Sequence, residues 1–182
     1  MLVLGLGVLL WACSHLMKRL TPGFRASLGD GPGKGVVAIL SLLALGLMIY
    51  GYRSAGVVGI WSPPAFLKHI NNLLMLIAVV LVFMPANRGS LRTLMRHPML
   101  TAVKTWALAH LLVNGDLASI ILFGGMLAWA VVEVIFINRS QRVWVRPAKG
   151  PVLNDVIYLV ACLVAFGAIV WVHTWMGYNP VG

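Results

Sequence analysis

Residues 99–113 read MLTAVKTWALAHLLV. They are followed at once by Asn114-Gly115-Asp116 and then by residues 117–137, LASIILFGGMLAWAVVEVIFI. The second run carries a single charged side chain, Glu133, and is long enough to cross a bilayer, which takes about 20 residues. The first is short, at about 15 residues, and ends in a three-residue reversal. Together they read as a tight helical hairpin within a membrane. Pro98 suits the first turn of the first of these helices, where its missing N–H costs nothing. Asp116 is the expected N-cap of the second.

Working outward, four further apolar runs cover Leu2–Met17, Val36–Tyr52, Phe66–Met84 and Val156–Trp175, with Asp155 as the expected N-cap of the last. The expected fold is therefore all-α. It is a polytopic membrane bundle of about six transmembrane helices, with the fourth and fifth a tight hairpin and residues 1–182 a single domain.

Composition agrees. Hydrophobic residues make up 60% and charged residues 10%, against roughly 25% charged in a soluble domain. So little charge leaves most of the surface to lipid, and the mean hydropathy is +0.93. The first run has no basic residue before it and no small-residue cleavage site after it, so it reads as a retained helix rather than a signal peptide. Cys13 and Cys162 both lie in apolar runs. There is no CxxC and no CxxCH, which excludes covalent c-type haem attachment.

The net charge of +10 does not point to nucleic acid, because the basic residues sit in short loops. Lys18, Arg19, Arg25 and Lys34 follow the first span. Arg88, Arg92 and Arg96 follow the third, and Arg139, Arg142, Arg146 and Lys149 follow the fifth. These are eleven of the fourteen basic residues. The positive-inside rule then places the three loops in the cytoplasm and both termini outside, in the periplasm of a bacterial inner membrane. Trp61, Trp171, Trp175 and Tyr178 fall near the outer interface, as an aromatic belt does.

Ionisable residues within spans are the functional candidates. His110 lies deep in the hairpin, with Trp106 and Asn114 as its i−4 and i+4 neighbours on one face. A neutral imidazole there can ligate a metal through one nitrogen while the other donates to Asn114 or a carbonyl. The alternative is a histidine hydrogen-bonded to a neighbouring helix. His15 can supply an axial ligand to a haem between helices or simply sit at the interface. Cys13, two residues away, does not share its face. His69 and His173 fall near the outer face, where anchoring is the favoured reading, with a second site, or a pairing of either with His110, as the alternative. Arg96 and His97, at a cytoplasmic helix start, suit a phosphate, propionate or carboxylate. Glu133 is assigned to the same side and is expected to cluster with them. No Walker A, GxGxxG or HExxH is present, and no nucleophile–base dyad.

The stretch Arg96-His97-Pro98-Met99-Leu100, continuing through Lys104-Thr105-Trp106-Ala107-Leu108-Ala109-His110-Leu111-Leu112-Val113-Asn114-Gly115-Asp116, resembles the NnrU family of bacterial membrane proteins. Its pattern reads roughly HPxLxxxKxWALAHLLxNGD. The likeness extends to His15, Trp61-Ser62-Pro63-Pro64, Asn154-Asp155 and His173. It implies an association with nitrite and nitric oxide metabolism (denitrification), with redox partner proteins, but no established reaction. Whether the chain is an enzyme stays open.

The related plastid 15-cis-zeta-carotene isomerases use haem b with histidine axial ligands. This implies His110 as one ligand and His15 as the other. Where those enzymes place a redox-switching cysteine, this chain has Ala107, so the ligand switch does not carry over. Arg96-His97-Pro98 also resembles a motif of isoprenylcysteine methyltransferase-type enzymes, which implies S-adenosylmethionine at Arg96, His97 and Glu133 as the alternative. A non-enzymatic accessory protein is the third reading.

Overall fold

The computed structural model describes residues 1–180, which among themselves form helices and no strand. We number the helices α1 (Leu2–Leu20), α2 (Pro22–Ser27), α3 (Asp30–Arg53), α4 (Leu67–Phe83), α5 (Pro98–Val113), α6 (Leu117–Ser140) and α7 (Val152–Trp175). All but α2 correspond to the six apolar runs. α3 and α7 begin several residues before their runs, because polar first turns continue into the interface.

Five helices are long and apolar enough to cross a membrane. The sixteen-residue α5 is only about 24 Å long, short of the ~30 Å hydrocarbon core. Pro98 occupies its first turn, as expected. Its far end breaks the helix at Asn114–Asp116, and a broken backbone at membrane depth must find partners. The segment before α4 supplies them. Ile60 and Trp61 N–H both donate to Gly115 O, and Leu117 N–H donates to Val58 O. A Cβ on Gly115 would lie 1.8 Å from Trp61 O, so only glycine admits this approach.

Asp116 caps α6 as expected, its carboxylate accepting from the Ser119 N–H and hydroxyl. Directly after this cap, Ile120–Gly124 form a π-turn. Such turns appear often at functional sites.

Asp155 is a correction. It does not cap α7, which already starts at Val152. Its carboxylate instead accepts from Asn87 Nδ2 (2.7 Å), Ser90 N–H (2.8 Å) and Leu91 N–H (3.0 Å). It therefore ties the α4–α5 loop to α7. The local signal, a carboxylate near a helix start, was the same for both roles. Only the tertiary fold brings the competing donors.

Two apolar cores share α5. One joins α1, α3 and α6 through Leu4, Val8, Leu16, Met48, Met126 and Trp129. The other joins α4, α5 and α7 through Val79, Leu81, Ala102, Tyr158 and Cys162. The buried residues of α5 are Ala102, Ala107 and Ala109, small side chains that let helices approach closely. The outward faces carry exposed Leu42, Leu73, Leu163 and Trp171, which suits lipid contact.

The three basic loops meet at one end. Arg92 Nη2 donates to Ala148 O, Arg96 to Gln141 O, and Gly150 N–H to Gly89 O.

Candidate functional site

His110 lies in the last turn of α5. Its Nδ1 is 2.9 Å from the Trp106 carbonyl one turn back. A carbonyl only accepts, so Nδ1 carries the proton and Nε2 keeps its lone pair. Phe123, on the π-turn of α6, stacks on the ring with centroids 4.5 Å apart. Trp106 packs edge-on to Phe123 at 4.9 Å. The extra residue of the π-turn thus places an aromatic plate against the imidazole. Asn114 Nδ2 donates to the backbone carbonyl of His110 and not to its ring.

The other side of His110 borders a cavity of about 280 Å³ between α4, α5 and α7. Its walls are apolar, from Met75, Ala78, Val79, Val82, Ala102 and Ile169. The second imidazole on this cavity is His173. His173, an exposed residue, repeats the local geometry, with Nδ1 2.8 Å from the Ile169 carbonyl, which in the neutral ring leaves the lone pair on Nε2. His110 lies three residues before the end of α5 and His173 two before the end of α7, and both line this cavity. In α7, the buried residues Asp155, Tyr158 and Cys162 all lie in its first half. Its second half, which carries Ile169 and His173, packs loosely beside the cavity.

His15 lies elsewhere. Its Nδ1 is bonded to the Trp11 carbonyl at 2.9 Å. Its ring stacks on Trp11 (4.3 Å) and meets Trp129 of α6 edge-on (5.1 Å). Trp129 and Phe123 are six residues apart on α6, about 9 Å along a helix axis. His15 and His110 therefore touch α6 at different depths, and His15 does not line the cavity. His69 is exposed in the first turn of α4, and Cys13 is exposed on α1.

At the basic end the expected cluster is divided. Glu133 pairs with Arg19, Nε to Oε1 at 3.2 Å, and not with Arg96 or His97. His97 Nε2 lies 2.9 Å from Asn138 Oδ1, and Arg96 donates to Gln141 O. Glu133 and Asn138 are five residues apart, about 140° around a helix, so they serve different neighbours. The second Glu133 oxygen and the indole N–H groups of Trp11 and Trp129 are buried without partners. Among the described residues no three His, Cys, Asp or Glu side chains form a metal-binding group.

Sequence reasoning left His173 open as an alternative companion to His110 and missed two participants: Arg19 as counter-charge to Glu133, and the tryptophans around His15. A signal existed for Arg19 and Trp11. Trp11, His15 and Arg19 recur every four residues and so form one stripe of α1. His110 and His173 were both assignable to the outer half by depth.

Fold and site together define a multi-pass helical membrane protein with paired histidines at one end of its bundle. The family model described as NnrU protein matches residues 3–180, nearly the whole chain. The chain belongs to the NnrU family. No curated protein and no solved structure gave a match.

Proposed function

We propose that this NnrU protein binds b-type haem in the membrane and that His110 and His173 would hold it. The observation that supports it is the shared cavity. Two imidazoles from different helices border one apolar space, each with Nδ1 tied to its own i−4 carbonyl and Nε2 free. A metal-ligating histidine almost always donates its other ring N–H in this way, which fixes tautomer and orientation.

The two imidazoles and the apolar walls suit the porphyrin, while Arg96 and His97, expected at the propionates, stand at the other end of the bundle beside Gln141 and Asn138. Phe123 buttresses the His110 ring. The cavity is slightly below the usual 300–1,000 Å³ of a ligand pocket. The loosely packed outer half of α7 leaves the remaining room beside α4. His15, expected as the second ligand from the likeness to carotene isomerases, stands on a different seam and is not assigned to the same iron.

Haem would supply one-electron redox chemistry or a coordination position for a small molecule. That matches the association with nitrite and nitric oxide metabolism that the family resemblance implies. The protein's own part would be to present two imidazoles from different helices to one apolar cavity. The test is an absorption spectrum of the protein purified after expression with haem supplementation. A Soret band of six-coordinate low-spin type is expected. A colourless protein under saturating haem would overturn the reading and leave the accessory role.

A further inference from the structure

A second cavity, larger than that beside the histidines, lies at the basic end between the end of α4 and the first half of α7. It measures about 480 Å³. Phe83, Ile157, Ala161 and Ala165 form apolar walls, and Arg88 and Asn154 stand at its polar end. We propose that this groove binds one anionic phospholipid, its phosphate at Arg88 and Asn154 and one acyl chain along Ile157, Ala161 and Ala165.

Three observations carry this. The first is length. From Asn154 to Ala165 is eleven residues, about 16 Å along a helix, or half of the ~30 Å hydrocarbon core. The groove is one leaflet deep, which suits one lipid chain of that leaflet.

The second is preorganisation. Arg88 sits between two anchored residues. Asn87 donates to Asp155, and Gly89 N–H donates to Asn87 Oδ1 at 2.8 Å. A Cβ on Gly89 would fall 2.0 Å from Asp155 Oδ1, and one on Gly150 1.8 Å from Arg88 O. The loop is therefore packed backbone against backbone, and Arg88 cannot drift from the mouth with it.

The third is charge. Asp155 is the acid next to this loop, and its oxygens already accept three loop donors. Among the described residues the side-chain ion pair is that of Arg19 with Glu133, so the Arg88 guanidinium has no carboxylate partner. Lys149 adds a second cation nearby, since its neighbour Gly150 is bonded to Gly89. A cationic rim over an apolar leaflet-deep groove selects an anionic amphiphile over a neutral one.

The test is native mass spectrometry of the detergent-purified full chain with phosphatidylglycerol or phosphatidylcholine of identical acyl chains. The wild type is expected to retain one phosphatidylglycerol several-fold better than phosphatidylcholine. Arg88→Gln should lower phosphatidylglycerol retention about five-fold, the scale of one interfacial cation, and leave phosphatidylcholine unchanged. Ala161→Trp should fill the groove and abolish retention of both. Ala165→Phe, one turn deeper, does the same if Ala161→Trp does not fold. Free glycerol 3-phosphate should not displace the lipid. Equal retention of the two lipids by the wild type, phosphatidylglycerol retention that survives both filled grooves, or displacement by glycerol 3-phosphate would each overturn the proposal.

Discussion

Arg19 Nε donates to Glu133 Oε1 at 3.2 Å, joining α1 to α6 across 114 residues of chain. Arg19 also donates to Ser140 Oγ at 3.0 Å, so it spans two turns of the partner helix. Glu133 has its other oxygen buried without a partner, which makes Arg19 its sole compensation in a seam lined by Trp11 and Trp129. Removing one member of a buried pair costs about 3–5 kcal/mol. Arg19 is partly exposed, at 19%, so Arg19→Leu should cost less, about 2 kcal/mol. The double variant Arg19→Leu/Glu133→Leu should recover most of that loss. Thermal unfolding in detergent followed by circular dichroism measures both. A double variant as unstable as the Arg19→Leu single would show that the loss does not come from leaving Glu133 unpaired.

The α1–α3 hairpin rests on backbone contact. A Cβ on Gly51 would lie 2.5 Å from Leu4 N, and one on Gly7 2.8 Å from Met48 N. Such close approach is how helices associate in lipid, where apolar burial supplies no drive. Gly51→Val should force the helices apart at a cost of about 1–3 kcal/mol, the scale of overpacking. Gly46 on the same helix faces open space. Gly46→Ala should leave the unfolding midpoint unchanged or slightly raised. Equal losses in the two variants would show that the contact is not tight.

Contacts between the three basic loops place residues near Arg19, Arg88, Arg92, Arg96 and Lys149 at one end of the bundle. The positive-inside rule predicts that this end faces the cytoplasm. Reporter fusions after Lys34, Gly89 and Lys149 should all report cytoplasm. A periplasmic signal from one of them would break the shared orientation.

The spans were readable because lipid demands long apolar runs and tolerates few charges. The α5–α6 break was readable from Asn114-Gly115-Asp116. The site was only half legible. His110 stood out as an imidazole in an apolar run, but its companion depends on which helices become neighbours, and periodicity along one helix does not encode that. His173 looked like an interface anchor because it lies two residues from the end of α7. Only the packing of α5 beside α7 brings it to the same cavity as His110. Glu133 was grouped with Arg96 and His97 by depth alone, whereas the angle around α6 turns it toward Arg19. Asp155 read as a cap because three of its loop partners lie more than sixty residues away in sequence.

The central claim is that one haem iron is held by His110 and His173. The most direct measurement is the Soret spectrum of haem-loaded wild type beside His110→Ala, His173→Ala and His15→Ala, each checked for folding by circular dichroism. The account predicts loss of the low-spin band, or its conversion to a five-coordinate spectrum, in His110→Ala and in His173→Ala, with His15→Ala unchanged. A spectrum that His173→Ala leaves intact and His15→Ala destroys would contradict it, and would return the second ligand to α1.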